Sequence, residues 1–213
     1  MHIERRRGSQ KQAVEYCKKD NEYLEEGSRR VQGERTDLSK LRTDVLNGSK
    51  VKDILLENEL NAGDIRVAQT FFTYLEPERN SKPTVYWYFG PTGTGKSKKA
   101  SEFNDVYWKD DTKWWEGYDR QETVVLDDFR ASNVKFNHLL KLLDRYPMRV
   151  ENKGGYRQLN SKTIIITTNR HPENCYNLTD EQIEKLLRRI DVIEHFIIDP
   201  ISDYFLSQNQ KSR

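Results

Sequence analysis

The sequence predicts an α/β fold with a mostly parallel central sheet, preceded by a small helical unit, on two observations. From Thr84 onward, short β-rich runs alternate with helical segments, a pattern that lays strands side by side in parallel with helices on both faces. Upstream, between about residues 36 and 76, apolar residues recur at helical rather than strand spacing.

The elements follow in order. Residues 1–35 are polar and basic and read as an end fragment rather than a domain. Leu38, Leu41 and Val45, then Val51, Ile54 and Leu55, mark helices, with Thr36 or Asp37 to cap the first and Gly48 to end it. The "PERNSKP" stretch reads as the linker closing this unit, which divides the chain into 36–78 and 79–200. "TVYWYFG" is a strand, "KSKKASEFN" a helix, "TVVLDDF" a second buried strand and "NVKFNHLLKLLDRY" an amphipathic helix. "MRVENKGGYRQL" is a hairpin turning at Gly154 and Gly155, "KTIIITTN" a third strand, "LTDEQIEKLLRR" a helix and "DVIEHFII" a closing strand. Residues 201–213 read as a disordered tail.

Composition bounds the function classes. The 213 residues hold one full domain and an appendage. A charged fraction of 33% and a mean hydropathy of −0.94 fit a soluble chain with a lean core. The net charge of +2 is too small to identify a nucleic-acid binder by itself. Cys17 and Cys175 are far apart, which points to a reducing compartment, and no apolar run is long enough to span a membrane. His2, His138, His171 and His195 do not cluster in sequence, so zinc is not expected.

The chemistry concentrates in "GPTGTGKS", where Gly90, Pro91, Thr92, Gly93, Thr94, Gly95, Lys96 and Ser97 match the phosphate-binding P-loop spacing between a strand and a helix. Gly93 and Gly95 let the backbone N–H groups curl toward a phosphate, helped by the helix end; Lys96 reaches the β- and γ-phosphates, and Ser97 ligates Mg²⁺. Asp127 and Asp128 end an apolar strand, at the edge where a parallel sheet opens to ligands. Asp127 is expected to hold Mg²⁺ and Asp128 to orient or deprotonate the attacking water. Asn169 ends "TIIITTN", where a carboxamide can hold the γ-phosphate or the water without adding negative charge. Arg188 and Arg189 read either as an arginine finger for a neighbouring subunit or as helix-end arginines meeting the macrodipole. Lys153 and Tyr156 in the Gly-Gly hairpin read as DNA contacts or as a solvated turn. Trp108, Trp114 and Trp115 read as core or edge packing. Tyr16 and Lys19, in "YCKK", sit on one helix face.

The motif order resembles the superfamily 3 helicases of small DNA viruses. "KWWEGY", "VVLDDF", "LLDRYPMRVENKGG", "IIITTN" and "LLRRI" look more closely like the replication initiator (Rep) proteins of circoviruses and related circular single-stranded DNA viruses. That resemblance implies an AAA+ P-loop ATPase with ATP and Mg²⁺ as cofactors. It implies ring oligomers, usually hexamers, on single-stranded DNA, with ATP between subunits and Arg189 as the finger. It also implies residues 36–78 as the oligomerisation collar, full-length Rep as a further partner and the host nucleus as the compartment. Tyr16 and Lys19 then match the third motif of an HUH endonuclease. The metal-binding histidine pair that a nicking tyrosine needs is not found ahead of Tyr16, so residues 1–35 are expected to be a remnant that does not cut DNA. A small-molecule kinase leaves Asn169 and the hairpin idle, and a GTPase lacks its guanine-reading motif. A non-catalytic subunit joining full-length rings is the reading from another class.

Overall fold

The structure, a computed structural model, describes residues 10–18, 36–57, 60–177 and 179–197. The expected tail at 201–213 lies outside the described residues. The chain divides into two compact units, residues 1–41 and 42–213. The first contains α1 (Gln10–Cys17) and the start of α2 (Thr36–Leu46).

Gly48 closes α2 as its position predicts. At φ +80° its N–H bonds to the Val45 carbonyl at 3.0 Å, while Ser49 N–H reaches the Asp44 carbonyl at 3.0 Å. This paired closure needs a left-handed residue, which glycine supplies without Cβ strain. The first amides of α3 (Val51–Glu57) are capped from a distance by Asp119, which accepts from Val51 N at 2.8 Å and Lys52 N at 3.0 Å. At α4 (Ala62–Leu75), Asn61 and Asp64 form a reciprocal capping box. Among the described residues no helix is long and apolar enough to cross a membrane.

Among the described residues seven strands follow: β1 (Thr84–Phe89), β2 (Val106–Lys109), β3 (Thr123–Leu126), β4 (Arg149–Asn152), β5 (Gly155–Gln158), β6 (Thr163–Thr168) and β7 (Val192–His195). Five build one all-parallel sheet in the order β2-β3-β6-β1-β7. β3 and β6 are buried along nearly their whole length, as strands covered on both faces should be. On one face Tyr88, Val125 and Ile165 pack with Ala100 of α5 (Lys96–Ala100). On the other, Val85, Trp87, Leu126, Ile164 and Ile166 meet α6 (Phe136–Leu142) and α7 (Asp180–Leu187) through Leu139, Leu142 and Leu186.

Two expectations change here. "VYWK" is an edge strand paired to β3, so "TVVLDDF" holds the third strand in chain order rather than the second. The helix in "KSKKASEFN" stops at Ala100, five residues in.

β4 and β5 form the expected antiparallel hairpin, outside the main sheet, with Gly154 at φ +124° in its turn and Gly155 already in β5. The start of the "PERNSKP" stretch is anchored on both sides of Pro77. Glu76, 4% exposed, accepts from Arg157 Nη2 at 2.8 Å and from the Gln158 amide at 2.7 Å. Arg157 also reaches Asp119 at 3.1 Å and lies 4.5 Å over the Phe72 ring. Arg79, equally buried, donates to the carbonyls of Leu142 (3.0 Å), Lys141 (3.1 Å) and Tyr146 (2.9 Å), closing the end of α6. Removing one partner of a buried ion pair strands the other charge, so Glu76→Ala is expected to lower unfolding free energy by about 3–5 kcal/mol. Urea denaturation measures this; a loss below about 1 kcal/mol means that the pair does not anchor the hairpin.

Candidate functional site

Because all five strands of the main sheet run the same way, their C-terminal tips emerge along one edge. β1 delivers the P-loop there, β3 delivers Asp127 and Asp128, and β6 lies between them, carrying Asn169 just past its tip.

The loop glycines serve different purposes. Gly90 adopts φ +142°, and a Cβ there would sit 2.0 Å from the Phe196 carbonyl oxygen, so the end of β7 is packed against the loop's first residue. Phe196 N–H also bonds the Phe89 carbonyl at 2.7 Å. Gly93 and Gly95 take φ +85° and +89°, and a Cβ on either would meet no atom within 4 Å. Those two positions form a backbone cradle with open space in front, which fits a phosphate. With α5 only five residues long, the curled N–H groups rather than a helix dipole carry that fit.

Lys96 Nζ donates to the carbonyls of Gly90 (2.9 Å) and Pro91 (2.6 Å) and lies 3.4 Å from Thr94 Oγ1. Burial pulls its ammonium below the usual lysine value, against the opposing pull of Asp128 and Asp127. Ser97 Oγ donates to Asp127 Oδ1 at 2.6 Å. These are hard oxygen donors, the set that suits magnesium. Among the described residues no three His, Cys, Asp or Glu side chains gather as a metal site. A cation here would therefore rest on Ser97 and Asp127 with phosphate and water completing its shell, the usual arrangement for magnesium beside a nucleotide.

Thr167 is the group that sequence reasoning missed. Its hydroxyl donates to Asp127 Oδ1 at 2.6 Å and accepts the Asp128 amide at 2.9 Å, fixing both aspartates from the neighbouring strand. Asp128 needs that support, because it sits at φ +47°, a conformation few residues other than glycine, Asn and Asp adopt. Its carboxylate meets Arg130 at 3.1 Å in an exposed pair of small energetic weight. Thr168 Oγ1 adds a bond to the Phe129 carbonyl at 3.0 Å. The signal available beforehand was the paired threonine in "IIITTN", a polar doublet ending a strand that is otherwise apolar.

Asn169 is exposed at the mouth of a cavity of about 410 Å³ shared with Gly90, Pro91, Arg170, His171 and His195. Its turn is held from below by fully buried Trp87, whose indole N–H donates to the Arg170 carbonyl at 3.0 Å. Trp87 also meets Phe129 edge-on at 5.8 Å, so one side chain of the P-loop strand reaches the segments that follow both β6 and β3. Two histidines treated as scattered come together here: His195 stacks on Phe89 at 4.5 Å and His171 meets its edge at 5.1 Å.

Other expected residues lie elsewhere. Arg189, expected to be presented to a neighbour, is only 13% exposed and donates to Asp144 and to the Lys185 carbonyl; against the cost of burial, the Arg145 amide and then Arg189 hold the Asp144 carboxyl below its usual value. Arg188 is exposed. Lys153 and Tyr156 are exposed on the hairpin. Trp115 is buried, whereas Trp108 is 42% exposed on the edge strand. Tyr16 is exposed on α1, and Lys19 lies outside the described residues.

Thr167→Val keeps the shape but leaves the Asp128 amide without its acceptor. It is expected to cost about 1–3 kcal/mol of stability, measured by urea denaturation, and an unchanged midpoint would show that the threonine does not hold the aspartates.

A family model described as RNA helicase matches residues 86–170, from within β1 to Arg170. The replication-associated protein of human associated cyclovirus 1 is 35% identical over 205 residues, covering 90% of this chain and 72% of the relative. That of goose circovirus is 37% identical, covering 93% and 68%. That of porcine circovirus 1 is 36% identical, covering 91% and 64%. The chain belongs to the replication-associated proteins of circoviruses and cycloviruses and carries a superfamily 3 helicase domain.

Proposed function

We propose that the chain hydrolyses ATP to move along single-stranded DNA in rolling-circle replication, as a ring, with six subunits expected, whose nucleotide sites lie between subunits. The observation that carries this reading is the convergence of Lys96, Ser97 and Asp127, with Ser97 Oγ 2.6 Å from Asp127 Oδ1 across the tip of β6.

In this reading the N–H groups from Gly90 to Ser97 cradle the phosphates, and Lys96 exchanges the Gly90 and Pro91 carbonyls for the terminal phosphate oxygens. Ser97 and Asp127 would hold magnesium, which would supply charge neutralisation at the phosphates. Asp128 orients a water and receives its proton, while Asn169 donates from its amide to the γ-phosphate or that water. The oxygen of water bonds to the γ-phosphorus, the bond to the β–γ bridging oxygen breaks, and the charge left on ADP is stabilised beside Lys96.

The arginine pair favours a site shared between subunits. Asp191, just beyond Arg188 and Arg189, pairs with Val85 at the start of β1, and Gly90 lies five residues further along. At about 3.3 Å per residue that is roughly 16 Å, beyond the reach of an arginine toward its own P-loop. Arg188 is exposed and ready for a neighbour's nucleotide, whereas Arg189 must first leave Asp144. Residues 36–78 serve as the collar, Lys153 and Tyr156 contact DNA, and the host nucleus is the compartment of the same reading. No step is assigned to Tyr16.

Lys96→Ala is expected to reduce DNA-stimulated phosphate release at least about 100-fold with the fold intact; unchanged turnover refutes the site. Arg188→Ala is expected to lose turnover without losing thermal stability, and Arg189→Ala to lose both. Mixing Arg188→Ala subunits with Lys96→Ala subunits restores part of the activity if arginine and P-loop meet across a boundary, and restores none if they act within one chain.

A further inference from the structure

A second surface, away from the strand tips, combines cations with aromatic faces. Glu151 of β4 pairs with Tyr156 of β5 and Arg149 lies two residues before Glu151, so all three share one face of the hairpin. The loop after β2 is clipped to that hairpin. Trp115 N–H bonds the Glu151 carbonyl at 2.8 Å, Lys153 N–H bonds Glu116 Oε1 at 2.5 Å, and Lys113 Nζ lies 3.6 Å from Glu151.

Between this loop, α6 and the hairpin lies a cleft of about 550 Å³, floored by Trp115, Leu139 and Val150 and ending at Asp127. Its volume admits a nucleoside-sized group. Arg149 is exposed and makes no side-chain ion pair among the described residues, and Tyr156 is 45% exposed. Lys113, with 69% of its side chain exposed, places its ammonium 4.2 Å over the Trp114 ring, a cation–π contact that positions the charge at the rim.

The distribution of charge sets the orientation of a ligand. Asp127 at the inner end repels a phosphodiester, Glu151 is met by Lys113 at 3.6 Å and leaves Arg149 as the unpaired cation on that side among the described residues, Asp110 is occupied by Lys109, and Asp111 is exposed at the rim. Phosphates are therefore favoured on the Lys113 and Arg149 side, with the base turned inward over an apolar floor. A cationic edge combined with an aromatic face is how single strands are bound without sequence preference.

We propose that this cleft is a single-stranded DNA site additional to the hairpin tip, with phosphates on Lys113 and Arg149 and a base against Tyr156. The proposal rests on the DNA-translocating reading above and extends it from the tip to the loop after β2.

The test is fluorescence anisotropy with a labelled oligothymidylate and a labelled duplex, across a salt series, on the full chain. For the Lys113→Ala/Arg149→Ala double variant, the slope of log affinity against log salt on the single strand is expected to fall by about 1.4, roughly 0.7 for each phosphate contact. Tyr156→Ala is expected to weaken single-strand binding roughly 5- to 150-fold and leave duplex binding unchanged. All three side chains are solvent-exposed, and thermal melts at wild-type temperature confirm intact folds. A wild-type slope in the double variant, with weakened binding by Lys153→Ala, overturns the cleft and leaves the translocase reading standing. Equal loss on duplex by Tyr156→Ala overturns base capture. No binding of the oligothymidylate by the wild-type chain overturns both readings.

Discussion

The insertion of β6 between β1 and β3 is the constraint on which the site depends. Two strand spacings, about 9–10 Å, separate the strand that launches the P-loop from the strand that carries the aspartates. The loop has to curl back over the β6 tip for Ser97 to meet Asp127. That crossing brings three kinds of group into one neighbourhood: a lysine, a carboxylate pair and an amide. Thr167, within the inserted strand, then ties the carboxylates to the tip that separates them from the loop. Packing beneath the tips serves the same end, because Trp87 is covered by core on all sides and spends its one polar atom on the turn after Asn169.

Away from the tips, the hairpin is anchored at its base and toward its turn by different chemistry. At its base a buried carboxylate–guanidinium pair reaches the end of α4. Toward its turn, Lys153 N–H is held by Glu116 of the loop after β2. The hairpin, α4 and that loop thus form one connected framework, and an exposed cation on the hairpin is presented from a defined backbone rather than from a free arm.

What was legible in the sequence was what is local in the chain. The P-loop, the Asp-Asp strand end, the Gly-Gly hairpin and the closure at Gly48 each declare themselves within a few residues, because the backbone conformation they need restricts which residues can stand there. β2 was not legible. Four residues on a sheet edge carry no buried run, and aromatic residues in "VYWK" are equally at home in a loop. Thr167 was passed over because its role lies in bonds to residues about 40 positions earlier, which no spacing rule encodes. Arg189 was read by its neighbours in sequence, yet its environment is set by Asp144, contributed just after a different helix. The "PERNSKP" stretch has the composition of a linker because Pro, Asn and Ser stop secondary structure. Composition does not reveal that Glu76 and Arg79 on either side of Pro77 are among the most buried charges of the described residues.

That last feature bears on how the chain can be dissected. A cut between residues 78 and 79 looks natural on paper, yet it falls between two side chains that are each 4% exposed. An isolated ATPase fragment beginning at Arg79 would carry Arg157 in its interior without Glu76, leaving only the more exposed Asp119 to pair with it, and the separated helices would expose Phe72, over which that guanidinium lies. Poor solubility of such a fragment would then reflect where the chain was severed rather than any weakness of the sheet. A fragment that keeps Glu76 together with α4 retains the ion pair.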